Sequence, residues 1–296
     1  MSAIEAVGAR SARTVARSVR SWARGNPLFV VGGTMVIALV VVAVFAPLIA
    51  PYPADAGSAT HPLDIFKPPS WAHLFGTDQV GRDVFSRVVY GARVSPLIAL
   101  AVVSISMVVG VTVGLVAGFF GGILDEVIMR ITDVFLAVPA LLLALAFAST
   151  LPGGTGSTIL AITISWWPWY ARLARGEAAS VSRRRYVESG RVLGLARWRL
   201  LVRHVLPNST TPVLVQASLD FGGVILTAAA LSFLGLGAQD PTPEWGLMVN
   251  QGRSFFQTYW WLVTFPGLAI LFSAVAFNLL GDGLRDRLDP RRVVAR

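Results

Sequence analysis

The sequence contains no cysteine and only three histidines among its 296 residues. The lack of cysteine excludes disulfide frameworks, thiolate metal sites and cysteine nucleophiles, and it leaves the redox compartment undetermined. His61 and His73 share a proline-rich loop with Asp55 and Asp64. Such a loop could handle a metal weakly, but a solvated loop is the favoured interpretation. We therefore predict no metal site.

Charged residues are also scarce, at 14% of the chain, whereas hydrophobic residues make up 54% and the mean hydropathy is +0.65. A chain of this composition has too little polar surface to cover a soluble globule. The composition therefore predicts a membrane protein.

Six segments are long or apolar enough to be read as membrane-spanning helices. A hydrocarbon core of about 30 Å needs roughly 20 apolar residues per helix. The shortest segment ends in a cluster of tryptophan and tyrosine, which is typical of a membrane interface. We predict an all-α polytopic membrane protein with spans at Leu28–Ala50, Pro96–Phe119, Val134–Leu151, Thr158–Tyr170, Pro212–Leu236 and Tyr259–Leu280.

The net charge of +9 has a topological explanation. Most of the basic residues, including nine arginines between Arg172 and Arg203, lie in segments on the same side of the predicted spans as the N-terminus. By the positive-inside rule, both termini and this long loop are predicted to be cytoplasmic. The pattern does not favour nucleic-acid binding.

These spans divide the chain into five parts. They are a cytoplasmic arginine-rich segment (1–26), a first transmembrane helix (27–51), an external loop (52–93), a five-helix core (94–282) and a cytoplasmic tail (283–296). The core includes a cytoplasmic loop at 172–207. The first part could be a basic amphipathic helix on the inner leaflet, and a disordered tail fits its composition equally well.

Glycine recurs at every fourth position through the end of the second span. Residues at this spacing share one helix face, where they allow a second helix to approach closely. We predict a helix-packing seam at Gly110, Gly114, Gly118 and Gly122.

The cytoplasmic loop predicts two short helices joined at Gly194. Helical spacing relates Tyr186, Val187, Gly190 and Leu193. Gly194 can adopt the positive φ that ends a helix. A second apolar stripe then precedes Pro207, at Trp198, Leu201, Val202 and Val205. The pair could dock into a soluble partner or lie on lipid headgroups, and periodicity leaves both interpretations open.

The spacing in this loop resembles the E-A-A-x3-G-x9-I-x-L-P loop of ATP-binding-cassette (ABC) importer permeases. Glu188 stands at the glutamate position and Gly194 at the glycine position. The chain departs from the pattern where Ser189 and Gly190 replace the alanines, and His204 occupies the isoleucine position before Leu206 and Pro207. The literal Glu177-Ala178-Ala179 lacks a glycine at the required spacing, so Glu188 is the predicted glutamate.

Other segments extend the resemblance over about residues 70 to 291. They are Phe75–Arg93, the stretch from Asp125 to Pro139, Leu231–Gly237 and Gly281–Arg291. Together they are similar to the second permease of the dipeptide, oligopeptide and nickel importer family. The resemblance implies a type I ABC importer permease fold with six membrane helices, in the bacterial cytoplasmic membrane.

The resemblance also implies partners. They are a homologous second permease, two ATP-binding-cassette ATPase subunits or domains that carry ATP and Mg²⁺, and an extracytoplasmic solute-binding protein. The sequence lacks a G-x-x-x-x-G-K-[ST] phosphate loop, so we expect a transport subunit that is not itself an enzyme and binds no cofactor. The implied cargo is a di- or oligopeptide, with nickel or another small solute as the alternative. A secondary transporter or channel is a more remote alternative.

Roles for individual residues follow from the same resemblance. Glu188 would anchor the loop in the ATPase, Gly194 would turn it, and Tyr186, Leu193 and Trp198 would make apolar contacts, although simple packing is an equal alternative for Trp198. Outside the membrane, four charged residues could meet a docking protein, but internal pairing is favoured: Asp78, Arg82, Asp83 and Arg87. Within the spans, Gln216 and Asp220 are candidates for the translocation path, because polar groups at membrane depth face the bundle interior.

Overall fold

A computed structural model describes residues 26–288, and the arginine-rich segment and the end of the tail lie outside these described residues. The described chain is built from helices and short turns, with one isolated bridge between Thr77 and Asp83 as its only β-type pairing. The predicted all-α class is confirmed.

The main helices are numbered along the chain. They are α1 (Pro27–Val44), α2 (Ala46–Ile49), α3 (Val84–Phe120), α4 (Gly122–Leu136), α5 (Ala140–Thr150), α6 (Thr155–Ser182), α7 (Arg185–Val192), α8 (Arg197–Leu200), α9 (Leu206–Phe233), α10 (Trp245–Gly252) and α11 (Trp261–Leu288). A π-helical turn at Leu201–Val205 joins α8 to α9.

By length and composition, four helical stretches in residues 26–288 can cross a membrane: α1, α3, the continuous α8–α9 stretch and α11. The α4–α5 pair makes a fifth span only if it counts as one, because the two helices meet at 86°. The predicted span at 134–151 falls on this bent pair, whose first helix begins earlier, at Gly122. The predicted span Thr158–Tyr170 lies within α6, whose serine, threonine, tryptophan and proline residues make it less apolar than the other spans.

Several boundaries differ from the sequence-based ones. Helix α3 begins at Val84, well before position 94, because the Asp83 carboxylate caps it by accepting a hydrogen bond from Ser86 N at 2.7 Å. Pro96 is accommodated inside this helix. Helix α6 continues to Ser182, so the first part of the predicted loop 172–207 is helical, and α11 continues past 283 to Leu288.

The core lies where α3, α5, α6 and α9 meet. It consists of small and branched apolar side chains, among them Val102, Ala148, Ile162 and Ile225. Helix α1 packs at its side against α11. The backbones are so close that a Cβ added to Gly32 would lie 2.5 Å from the main-chain nitrogen of Leu280. This packing leaves most of the α1 surface exposed, as expected for a helix facing lipid.

Candidate coupling knob and translocation site

The two short helices predicted around Gly194 are present and form a helical knob (residues 185–205). Gly194 has a φ of +78°, and the main chain closes a Schellman motif there. Leu195 N donates to Gly190 O at 3.1 Å, and Gly194 N donates to Arg191 O at 3.0 Å. Gly190 is buried against Leu200 and Leu195, so a side chain there would collide with the second helix.

A buried apolar cluster fixes the knob to two long helices. Val187, Leu200, Leu201 and Val205 are each at most 3% exposed. They pack against residues of α3 and α6, namely Leu115, Phe119, Ala178 and Val181. The Arg191 guanidinium also lies 5.5 Å from the centre of the Phe119 ring. A displacement of the knob therefore has to move α3 and α6, or break this packing.

The opposite side of the knob carries exposed apolar side chains. Val192 is 88% exposed, Leu193 80% and Trp198 66%, and Tyr186 and Val202 are partly exposed. Trp198 thus does not pack under the membrane helices. Glu188 and Ser189 are exposed beside this surface. Exposed arginines surround it, at positions 183, 184, 185, 191, 197, 199 and 203. Leu206 and Pro207 begin α9 and link the knob to that span.

The glycine seam joins α3 to α6. A Cβ at Gly110 would lie 2.5 Å from Trp167 O, one at Gly114 2.2 Å from Ala171 O, and one at Gly118 2.3 Å from Arg175 O. The two backbones therefore meet directly at three positions over about two helical turns. Gly122 does not lie on this seam, against the prediction, because α3 ends at Phe120 and the chain turns through Gly121 and Gly122 with positive φ.

Gln216 and Asp220 lie one turn apart on α9. Gln216 Nε2 donates to Asp220 Oδ1 at 2.9 Å. The second carboxylate oxygen is buried close to the hydroxyl of Tyr170, which comes from α6 and is itself fully buried. Gln216, Asp220 and Tyr170 thus form one polar cluster at the contact between α6 and α9. The sequence predicted the first two members but not Tyr170.

The charged external residues form an internal network. Asp78, Arg82, Asp83 and Arg87 are 0–6% exposed, so their side chains do not present a docking surface. This burial fits internal pairing, the favoured alternative, and does not fit the possible docking role. Arg82 Nε donates to Asp78 Oδ2 at 2.8 Å, and Arg82 NH1 donates to Asp240 Oδ1 at 3.1 Å. The network thereby ties the external loop to the segment that follows α9.

Two buried acids in the external region escaped sequence reasoning. Asp55 is 2% exposed and accepts hydrogen bonds from Asp83 N at 2.7 Å and from the His61 ring. Glu244 caps α10 by accepting from Gly246 N at 3.0 Å and Leu247 N at 2.7 Å. For Glu244 the signal was local, since an acidic residue before a short helical stretch is a capping position. For Asp55 one partner, His61, lies six residues away in the same loop, whereas the other, Asp83 N, lies 28 residues away.

Comparison with protein families identifies the chain. The family described as the binding-protein-dependent transport system inner membrane component matches residues 110–294, which include the glycine seam and the helical knob. The chain belongs to this family. Residues 21–69 match a second family, the N-terminal transmembrane domain of oligopeptide transport permease C. The chain is thus a permease subunit of an ABC importer, a transport protein that passes several times through the bacterial inner membrane.

Curated relatives of the permease are similar over nearly its whole length. The dipeptide transport system permease protein DppC of Escherichia coli (strain K12) is 48% identical over 88% of each chain. The probable D,D-dipeptide transport system permease protein DdpC of the same organism is 46% identical over 90% of this chain and 89% of the relative. The glutathione transport system permease protein GsiD of Pectobacterium atrosepticum is 43% identical over 88% and 86%.

Among solved structures, the permease is similar to a chain of the MetNI methionine ABC transporter in inward-facing conformations. The TM-score is 0.49 with 16% identity, over 65% of this chain and 94% of that chain.

The permease's external loop should become less stable as pH rises. The hydrogen bond that the His61 ring donates to the Asp55 carboxylate raises the pKa of His61 above its usual value of about 6.5. The charged pair therefore stabilises the loop fully below that value and is lost as pH rises through the raised pKa. We expect faster proteolysis of residues 52–82 at about pH 8.5 than at about pH 5.5, and a weaker pH dependence in His61→Gln. An unchanged pH dependence in His61→Gln would contradict this assignment.

Proposed function

We propose that this permease forms half of the translocation path of an importer for short peptides and couples to a separate ATPase through the helical knob. The observation that carries the coupling role is the two-sided construction of the knob. One side is packed into α3 and α6, and the other exposes Val192, Leu193 and Trp198. A rigid element with an exposed apolar surface can transmit the closure of a docked partner to the helices that hold it.

A docked ATPase accounts for the knob better than a lipid surface does. Leu193 and Trp198 project from a turn of defined geometry at Gly194, and Glu188 lies beside them. The arginines around the surface suit an anionic leaflet as well as a protein, but the acidic Glu188 gains nothing from such a leaflet, whereas it can pair with a basic group in a protein groove. Glu188 is accordingly the polar anchor of the proposed contact and Gly194 its turn.

The proposed cargo is a di- or oligopeptide. The relatives at 43–48% identity are named as permeases for dipeptides, D,D-dipeptides and glutathione, which are all small molecules with peptide bonds. Gln216 and Asp220 are the proposed polar residues of the path. Nickel or another small solute is the alternative cargo, although no group of three or more metal-ligating side chains lies within residues 26–288.

The proposed assembly contains a homologous second permease, two ATP-binding-cassette subunits or domains that carry ATP and Mg²⁺, and an extracytoplasmic solute-binding protein. Both termini of the permease are proposed to face the cytoplasm, because most basic residues lie on that side of the spans. This orientation places the helical knob on the same side as the ATPase.

Uptake into liposomes tests this function. The assembled complex should import a labelled dipeptide only when the binding protein is present outside and ATP is present at the ATPase. A secondary transporter or channel would take up the dipeptide without ATP, and that result would contradict the proposal. Uptake of nickel but not of dipeptide under the same conditions would support the coupling role and show that the cargo is nickel rather than a peptide.

A further inference from the structure

An apolar groove lies between α1 and the helical core. Its volume is about 620 Å³, and it is lined by side chains of α1 and α3 together with Phe221 of α9 and Phe277 of α11. Val40 on α1 and Leu97 on α3 are among these side chains, and they are 52% and 60% exposed. The groove is therefore open to the surroundings of the helices.

Arg93 is the only polar side chain among the described residues that line the groove. Its Nε donates to Ala43 O, and its NH2 donates to Val44 O at 2.8 Å. Ala43 O lacks a helical partner, because the residue that would donate to it, Pro47, has no N–H group. The Arg93 guanidinium also lies 5.6 Å from the centre of the Tyr90 ring. These contacts fix the charge at the end of the groove that is nearer to the external loop.

The charge of Arg93 has no counterion within residues 26–288, where this side chain forms no ion pair. Its two hydrogen bonds also leave guanidinium N–H groups without an acceptor in this part of the chain. A phosphate group supplies both a negative charge and several acceptor oxygens, and the planar guanidinium matches its geometry. This end of the groove therefore suits a ligand that carries a phosphate.

Arg93 marks the level at which the apolar part of α3 begins. No charged residue follows it on α3, and α1 carries none. Residues 94–120 of α3 reach about 40 Å, which covers a hydrocarbon core of about 30 Å. A charge is costly inside that core, whereas exposed apolar side chains such as Leu97 suit it. The groove thus starts at the headgroup level and follows α3 for about 10 Å, as far as Leu100, into the apolar layer.

The dimensions of the groove favour a hydrocarbon chain over a helix of another subunit. An α-helix with its side chains is about 10 Å across, so about 10 Å of its length occupies roughly 800 Å³. This volume exceeds the 620 Å³ of the groove. An acyl chain is thinner and wholly apolar, so it can enter the groove and contact both walls.

We propose that this groove binds a phospholipid from the leaflet on the side of the external loop, with one acyl chain between α1 and α3 and the phosphate group on Arg93. The bound chain completes the packing between α1 and the core, which the groove otherwise interrupts. The inference depends neither on the peptide cargo nor on the contact of the helical knob with the ATPase.

Lipid counting by native mass spectrometry tests the inference. The assembled complex, stripped of loosely bound lipid, is exposed to phosphatidylglycerol or to diacylglycerol, which has the same chains but no phosphate. The double variant Val40→Trp with Leu97→Trp fills the groove and should bind one phospholipid fewer than the unmodified complex. Ile37→Trp with Ile105→Trp is the matched control, because both residues are exposed on the same two helices and do not line the groove.

Arg93→Gln tests the phosphate contact. It should weaken the binding of phosphatidylglycerol at least about tenfold, because charge-assisted hydrogen bonds are lost. It should also remove the preference of the complex for phosphatidylglycerol over diacylglycerol. Arg253→Gln is the control, since Arg253 is an exposed arginine outside the groove, and it should bind the phospholipid as the unmodified complex does.

Three results would overturn the inference. If the filled double variant retains as many phospholipids as its control, the groove is not the binding site. If Arg93→Gln binds phosphatidylglycerol as tightly as Arg253→Gln, the phosphate does not lie on Arg93. If the filled variant loses a protein subunit that its control keeps, protein rather than lipid covers the groove. Should Arg93→Gln fail to assemble, the filled variant and the preference of the unmodified complex for phosphatidylglycerol over diacylglycerol decide the question.

Discussion

Gly114→Leu should abolish assembly of the permease into a stable complex. A Cβ at this position would lie 2.2 Å from Ala171 O and 2.9 Å from Arg175 N, both of which are main-chain atoms of α6. Main-chain atoms cannot rotate away as a side chain can, so α3 and α6 would have to separate. Overpacking a close-packed interior costs roughly 1–3 kcal/mol even where neighbours adjust, and we expect the cost to exceed that range here. The yield of assembled complex after detergent extraction should fall at least about tenfold.

Gly176→Leu is the matched control for this substitution. Gly176 lies on α6 and has no atom within 4 Å of an added Cβ, so leucine fits there without displacing a neighbour. Leucine also favours a helix interior more than glycine does. We expect a near-normal yield. Equal yields from the Gly114 and Gly176 variants would show that contact between the two backbones is not needed for assembly.

Glu188→Lys should cut peptide uptake while leaving the membrane helices intact. Glu188 is exposed on α7, and its side chain forms no ion pair within residues 26–288, so its loss should not disturb the fold. Lysine would bring a positive charge to the site where the proposed contact needs a negative one. Reversing a charge at an interface typically costs several kcal/mol, so we expect at least about tenfold slower uptake. The ATPase should co-purify poorly or should hydrolyse ATP without responding to loaded binding protein.

Glu177→Lys is the matched control for this charge reversal. Glu177 belongs to the literal Glu-Ala-Ala triplet, but it lies within α6 and not on the helical knob. Uptake should be affected much less. If Glu177→Lys loses peptide uptake and Glu188→Lys transports normally, the motif spacing has selected the wrong glutamate.

The features that the sequence predicted well depend on local geometry. A glycine spaced six residues after Glu188 predicts the turn at Gly194, because positive φ is a property of the residue itself. The seam at Gly110, Gly114 and Gly118 follows from helical periodicity alone. Gly122 shares that periodicity and still lies off the seam, since periodicity does not indicate where a helix ends.

The features that escaped the sequence depend on contacts between distant segments. Internal pairing of Asp78 and Arg82 was the favoured alternative, but nothing in the sequence indicated their third partner, Asp240, which lies 158 residues after Arg82. The bend before Ala140 also escaped prediction, because a proline such as Pro96 can remain inside a helix whereas Pro139 ends one. The sequence does not distinguish these two prolines, whereas the packing of α4 and α5 on α6 does.

Cross-linking from the helical knob tests the central claim most directly. Leu193→Cys places a single thiol on the exposed apolar surface of a chain without other cysteines. A short thiol-to-amine cross-linker applied to native membranes should join this variant to the ATPase subunit, and the yield should change when ATP closes the ATPase. Ser58→Cys, in the external loop, should give no such product. If Leu193→Cys remains uncross-linked in complexes that import peptide, the knob does not dock on the ATPase and the proposed coupling is wrong.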